Sequence, residues 1–305
     1  PKRMLPLAYF FALAGMIGCL PAFQSNQLIQ ITGDLAFSEI ENFNILGGLV
    51  LAGITGFVVI GGLKRIAEVA TFLVPLMGSI YFGAMIVALT LNLNLVLPAF
   101  KLILVDAFNG TAIAGGTFFG VLIYGVRRGA FSNEAGMGTE SLVHGVAKVS
   151  NPVKQGLVAM TGPIFDTLII CTATALMILV SGVWETSSSQ GVTLTAEAFS
   201  ILLGSFGGLI LFVCVICFGL STIFTYSYYG ASCSRFLFGK FGMKFYIYLY
   251  ILSIFIYSIV PIDIAINIAD GAFAMMAIPT LISALWLAPK VMQASKNYFK
   301  LIDNN

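Results

Sequence analysis

Charge is the scarcest commodity in this chain: Asp, Glu, Lys and Arg together make up 9% of 305 residues, while 59% are hydrophobic. A soluble chain carries about 25% charge. Too little polar surface exists here to coat a water-soluble globule, so the composition reads as an all-α, multi-spanning membrane protein whose partner is the lipid bilayer. A net charge of +2, with no basic run beyond Lys-Arg or Arg-Arg pairs, excludes a nucleic-acid-binding face. The single histidine, His144, leaves a histidine-based metal centre or a Ser-His-Asp triad little to build on. Cysteine is sparse as well, and all five lie in or beside apolar stretches. Cys214 and Cys217 form a CxxC, but the surrounding LILFVCVICFGL has no His or other ligand partner, so it reads as packing. With no activated nucleophile, no transition-metal cluster and no sign of an organic cofactor, an enzyme is the least favoured class. No linker or low-complexity block divides the chain, and residues 1–305 read as one transmembrane domain. Signal-peptide layout is missing too: the chain opens on Pro1 and its first apolar stretch has full span length, so the start reads as cut.

What is abundant is long apolar runs. Stretches of spanning length fall near 5–27, 44–62, 69–91, 107–126, 156–182, 200–229, 246–262 and 264–288, which predicts about eight transmembrane helices. Of the 15 Lys and Arg, all but Lys101 then fall on one side. By the positive-inside rule that side is cytoplasmic, and both the start and the end of this chain lie there. A bacterial-type cytoplasmic membrane is the expected location.

One run stands out, GGTFFGVLIYGVRRGAFSNEAGMGT at 115–139. Counting from about Asp106, roughly twenty residues cross the hydrocarbon layer before Arg127, and Gly115-Gly116 fall near the midpoint. A helix interrupted at that depth frees backbone groups that only a cavity or ligand site can accommodate. Gly115, Gly116 and Thr117 would then offer N–H groups, a hydroxyl and close backbone approach to a carboxylate. The alternative is helix packing through the Gly116–Gly120 pair.

Three further groups could carry chemistry. In GLSTIFTYSYYG, residues 219–230, Thr222, Tyr226 and Tyr229 share a helical face, with Ser221 and Thr225 beside it. Such oxygens suit a hard cation such as Na⁺, although Ser and Thr in membrane helices also bond the i−4 carbonyl and merely pack. The first span ends in Phe23-Gln24-Ser25-Asn26-Gln27, whose amides can donate to a carboxylate or accept from an ammonium, or can form a polar interfacial end. Asp166 lies about ten residues inside the fifth span and Asp270 near the middle of the last. An intramembrane carboxylate is a functional candidate by default, as cation or proton partner, with a buried structural acceptor as the alternative. No span interior holds Lys or Arg, so a substrate carboxylate must be met by backbone N–H groups and a co-bound cation. That points to cation-coupled uptake of a zwitterion.

GVRRGAFSNEAGMGT followed by NPVKQGLVAMTGPIFDTLIICTATA resembles the alanine or glycine:cation symporters, the sodium:alanine symporter family. FQSN, GGLKRIAEVATFLVP, LSTIFTYSYYG and IADGAFAMMAIPTLI extend the resemblance, in family order, over nearly all of the chain. It implies a LeuT-like fold of two inverted five-helix repeats, with the first helix of each repeat broken at the substrate site. On that alignment the chain is partial: it begins at the third core helix and lacks the first broken helix. By resemblance, Gln24, Gly115, Gly116, Thr117, Thr222 and Tyr226 contact the amino acid, and Ser221 and Thr222 supply oxygens to sodium. The motif residues Arg128, Ser132, Asn133, Glu134 and Gly136 shape an inner gate on the cytoplasmic side, where Gly136 and Gly138 permit the turn, and Asp166 is a candidate coupling residue. The family often has Trp where Tyr226 stands, and a small residue followed by Pro where Thr139-Glu140 stand, which puts the substrate preference in question.

The expected function is symport of Na⁺, with H⁺ as the alternative ion, and a small neutral amino acid, alanine or glycine. The rivals are a carrier of the same fold with another substrate or proton coupling, an ion channel, and a non-transporting truncated fragment.

Overall fold

Apolar runs in a medium without water must close all their hydrogen bonds internally, and this chain does so with helices. The computed structural model describes residues 4–108 and 117–303, which form helices and their connections, with no strand among the described residues. In chain order the helices are α1 (Leu5–Gly18), α2 (Ala22–Ala36), α3 (Phe43–Val59), α4 (Gly62–Leu91), α5 (Leu93–Ala107), α6 (Thr117–Asn133) and α7 (Thr139–His144). Then follow α8 (Pro152–Ser181), the single turn α9 (Val183–Thr186), α10 (Val192–Leu203), α11 (Ser205–Ile259) and α12 (Ile262–Asp303). Five helical runs are long and apolar enough to cross a membrane, among the described residues: α1 with α2, α4, α8, α11 and α12. Because α11 reverses at Gly239, whose φ of 68° and ψ of −156° are closed to other residues, it forms two arms, 205–238 and 240–259. These arms, together with α3 and α6, account for the remaining apolar stretches. Side chains such as Phe57, Leu97 and Phe241 are left outside, as a lipid-facing surface requires.

Three features depart from the sequence expectation. The first stretch is not one helix: Pro21 lacks an N–H and restricts the residue before it, so the chain bends at 19–21 between α1 and α2. The loop expected at 183–198 contains the start of α10. The fourth stretch was expected to end at residue 126, with Arg127 and Arg128 beyond it at the cytoplasmic surface. Instead α6 runs through both arginines to Asn133.

Charge inside a bundle is tolerated when it is paired. Arg128 hydrogen-bonds and ion-pairs with Asp270 on α12, and Arg127 Nη1 stands 3.7 Å from the same Oδ2. The Arg128 guanidinium also lies 5.4 Å from the ring centres of both Tyr124 and Phe131, where the ring faces attract it. Arg128 is 29% exposed and Asp270 14%, so both charges sit within the protein. Asp270, expected as a candidate for cation or proton work, is therefore engaged by side-chain cations.

The two arms of α11 are the centrepiece of the packing, with α1, α2, α3, α4 and α10 around them. Tyr226, Tyr229, Tyr246 and Tyr250 pack there with Ala14, Leu28, Met137 and Met276. The two arms are tied by Tyr250, whose hydroxyl donates to the Ile223 carbonyl at 2.6 Å, and to α1 by Tyr246, which donates to Met16 O at 2.9 Å. Buried tyrosines need such partners for their polar end.

Asp270→Asn leaves Arg128 without its counter-charge inside the bundle. We expect a loss on the order of 2 kcal/mol, less than for a fully buried pair because Arg128 is partly exposed. It is read as a lower thermal midpoint of the full-length protein in detergent; an unchanged midpoint would show that the pair contributes nothing.

Candidate functional site

The polar stretch after the two arginines is not a surface loop. Between α6 and α7 five residues, 134–138, leave helical geometry, with positive φ at Glu134 (56°), Gly136 (84°) and Gly138 (89°). Two of the three are glycines, which tolerate that region, while Glu134 is held there at some cost. The interruption is supported by side chains on every side. Asn133 Oδ1 accepts from Ala135 N at 2.9 Å, and its Nδ2 donates to Thr167 Oγ1 at 2.9 Å. Ser132 donates to Asp166, Thr139 Oγ1 donates to Glu134 Oε2, and Thr280 Oγ1 donates to the Met137 carbonyl at 3.3 Å. Asp166 and Thr167 belong to a π-helical segment of α8, Ile164–Cys171, that begins just after Pro163. A proline removes one backbone donor, and π segments inside α-helices often mark functional sites.

The break faces a cavity of about 420 Å³. Gln24 of α2, Ser132 and Glu134 at the end of α6, and Thr222 and Tyr226 of α11 line it, with Phe23, Phe131 and Phe218 as apolar wall. Thr222 lies near the midpoint of the 205–238 arm, which puts the cavity midway along that arm. Phe23 and Phe131 meet edge to face with ring centres 5.6 Å apart, and Phe131 meets Phe273 at 5.2 Å. At one end Gln27 Oε1 accepts from the backbone N–H of Val192 at 3.3 Å, drawing the start of α10 over the opening. Among the described residues no Lys or Arg lines the cavity and Glu134 is its one carboxylate.

The structure thus brings together Gln24, Thr222 and Tyr226 from the expected substrate set, and adds Ser132 and Glu134, which were expected at an inner gate. Gly115 and Gly116 lie outside the described residues, as does the side chain of Thr117, whose backbone opens α6. Ser221 points elsewhere: its hydroxyl donates to Phe218 O at 3.0 Å and lies 4.0 Å from Met77 Sδ, facing α4. Thr225 and Ser227 bond the carbonyls of Ser221 and Phe224, so packing accounts for them. Thr222 has no hydrogen-bond partner among the described residues and remains open to the cavity. Asp166 does not line the cavity; it receives Ser132 and lies 3.2 Å from Thr167 Oγ1, so it holds the break from behind. Arg128 is tied to α12, and Gly136 supplies one of the positive-φ turns. Sequence reasoning did not place Glu134 in the cavity. The signal was the pair of glycines two residues apart in NEAGMG, which marks a non-helical segment beside Glu134.

The family model described as the sodium:alanine symporter family matches residues 2–305. The sodium/alanine symporter AgcS of Methanococcus maripaludis is 34% identical over 99% of this chain and 66% of its own length. The uncharacterized transporter YflA of Bacillus subtilis is 35% identical over 97% of this chain and 64% of its own. The probable sodium/glutamine symporter GlnT of the same organism is 34% identical over 77% of this chain and 50% of its own. The chain thus spans between half and two thirds of the length of these relatives.

The break can be tested through its glycines. A Cβ at Gly138 would stand 2.7 Å from the Phe11 ring and 2.5 Å from Thr280 Oγ1, whereas one at Gly62, with a φ of 75°, meets nothing within 4 Å. Gly62→Ala therefore reports left-handed strain alone, about 1 kcal/mol. Gly138→Ala adds a clash and should reduce folded, monodisperse protein on size-exclusion far more. Equal loss in both variants would remove the tight approach of α7 to α1 and α12.

Proposed function

The chain belongs to the sodium:alanine symporter family, and we propose that it forms the larger part of a secondary carrier that moves a small neutral amino acid with Na⁺. The observation that carries this reading is the convergence of an amide, hydroxyls and a broken helix on one cavity without a cationic side chain. A zwitterion suits such a site: its carboxylate takes N–H and hydroxyl donors, its ammonium takes oxygens, and its short side chain rests on Phe23 and Phe131. Alanine or glycine is the first substrate, as the name of AgcS suggests. The LeuT-like arrangement of inverted repeats, a cytoplasmic-membrane location and cytoplasmic ends of this chain belong to the same proposal. Sodium bound beside the substrate lowers the cost of burying its carboxylate, a mutual coupling of about 1–3 kcal/mol. Rocking of one helix group against the other then opens the cavity to each side in turn. Thr222 is the oxygen donor we assign to the ion or substrate; Ser221, turned toward Met77, would reach them only after a rotation of α11.

A second reading keeps the fold and changes the cargo. A relative named as a probable sodium/glutamine symporter and a cavity of about 420 Å³ both leave room for a longer polar side chain. Uptake of labelled alanine by the full-length protein in proteoliposomes, with sodium replaced by choline, tests the main reading. We expect uptake to fall to background without sodium; undiminished uptake rejects sodium coupling. Unlabelled glutamine that competes better than alanine would shift the substrate assignment. In the same assay Thr222→Ala should raise the sodium concentration needed for half-maximal uptake by roughly tenfold, the loss of one hydrogen-bonding oxygen, at normal membrane yield. Equal losses of yield and uptake would make Thr222 structural.

A further inference from the structure

Glu134 is the feature that the transport reading leaves unexplained. Its carboxylate sits in the wall of the cavity and is held by two neutral donors, the Thr139 hydroxyl and the Tyr226 hydroxyl. Neutral donors orient a carboxylate without balancing its charge. The basic side chains nearest along the chain, Arg127 and Arg128, are engaged by Asp270. The other ionisable groups around it add negative charge or none: Glu140 and Asp166 are acidic, and Cys19, Tyr226 and Tyr229 are weak acids. An unbalanced carboxylate inside a membrane protein is expensive. The backbone at Glu134 has a φ of 56°, one of two positive values at non-glycine residues among the described residues. A residue held in that region at a break directs its side chain at a cost, and such outliers cluster at ligand sites. The side chain it directs is the cavity's one carboxylate.

We propose that Glu134, oriented by Tyr226 and Thr139, is the group that receives positive charge in the cavity. The ligand chemistry is a monovalent cation with hydrogen-bonding or coordinating capacity, supplied either by the α-ammonium of the amino acid or by the coupling ion. This rests on the transport reading and deepens it, by giving the cargo's positive charge a named partner. Tyr226 is a positioning residue here: its hydroxyl fixes the carboxylate, and its ring forms the wall.

The test uses the purified full-length protein, wild type and Glu134→Gln, which keeps size and hydrogen-bonding capacity and removes the charge. Binding of radiolabelled sodium without amino acid, and of labelled alanine at saturating sodium, is measured at equilibrium. Loss of a charged hydrogen bond predicts a drop of about tenfold or more in the arm that uses Glu134. If the ammonium is the partner, alanine affinity falls while sodium binding stays within about twofold of wild type. If the ion is the partner, sodium binding falls and high sodium restores alanine affinity. Both arms within about twofold of wild type, at equal folded yield, overturn the proposal. Should Glu134→Gln fail to fold, the wild-type protein gives an independent reading. Modification of Glu134 by an apolar carbodiimide, followed by mass spectrometry, should slow when sodium or alanine is bound, and an unchanged rate with both present overturns the proposal. A wild-type protein that binds sodium but no amino acid rejects the substrate reading while the sodium arm still decides the role of Glu134.

Discussion

A backbone that leaves the helix inside a bilayer must find other partners for its N–H and C=O groups, and that constraint organises this molecule. The interruption at 134–138 meets it with Asn133, which accepts from Ala135 N, and with Ser141 and Thr280, which donate to the Gly138 and Met137 carbonyls, while Thr139 on α7 holds the Glu134 side chain and Thr167 on α8 the Asn133 side chain. Each partner fixes the position of the element it comes from. The break therefore acts as a joint at which α6, α7, α8 and α12 are registered against one another. The space left in front of it, closed by α2 and the first arm of α11, is the cavity.

Two anchors hold the end of α6 just before that joint. Arg128 ties it to α12 through Asp270, and Ser132 and Asn133 tie it to α8 through Asp166 and Thr167. The receiving segment of α8 is π-helical and the receiving helix α12 carries Pro279 and Pro289. Of these neighbours α8 departs from regular α geometry, and α12 lacks two backbone donors at its prolines.

The helical face of α11 was legible in the sequence because spacing alone places Thr222 and Tyr226 on one side, and Gln24 was legible as an amide at the end of an apolar run. Ser221, expected by resemblance beside Thr222, is turned away from the cavity: consecutive helical residues point about 100° apart, and this one faces Met77. The break at 134–138 was less legible: the sequence expectation centred on Gly115-Gly116, which lie outside the described residues, and took the NEAGMG stretch as a gate on the cytoplasmic side. Nor could the local sequence show that Asp270, far along the chain, pairs with Arg128 and stands near Arg127. Long-range pairing of this kind has no local signature.

Charge balance links the cavity to the work of a carrier. Moving one elementary charge through a membrane potential is worth about 2.3 kcal/mol per 100 mV. A zwitterion is neutral overall and a sodium ion carries +1, so a cavity lined only by neutral groups would cross with a net positive load. With Glu134 ionised in the wall, the loaded cavity is neutral and the potential acts chiefly on the empty one. The Tyr226 hydroxyl enters this balance because it stands against the carboxylate in the cavity wall. A tryptophan at that position has only an N–H to offer, at a different point of the ring. Replacing it by tyrosine therefore changes more than the volume of the cavity: it changes how the cavity's one negative charge is presented to whatever enters.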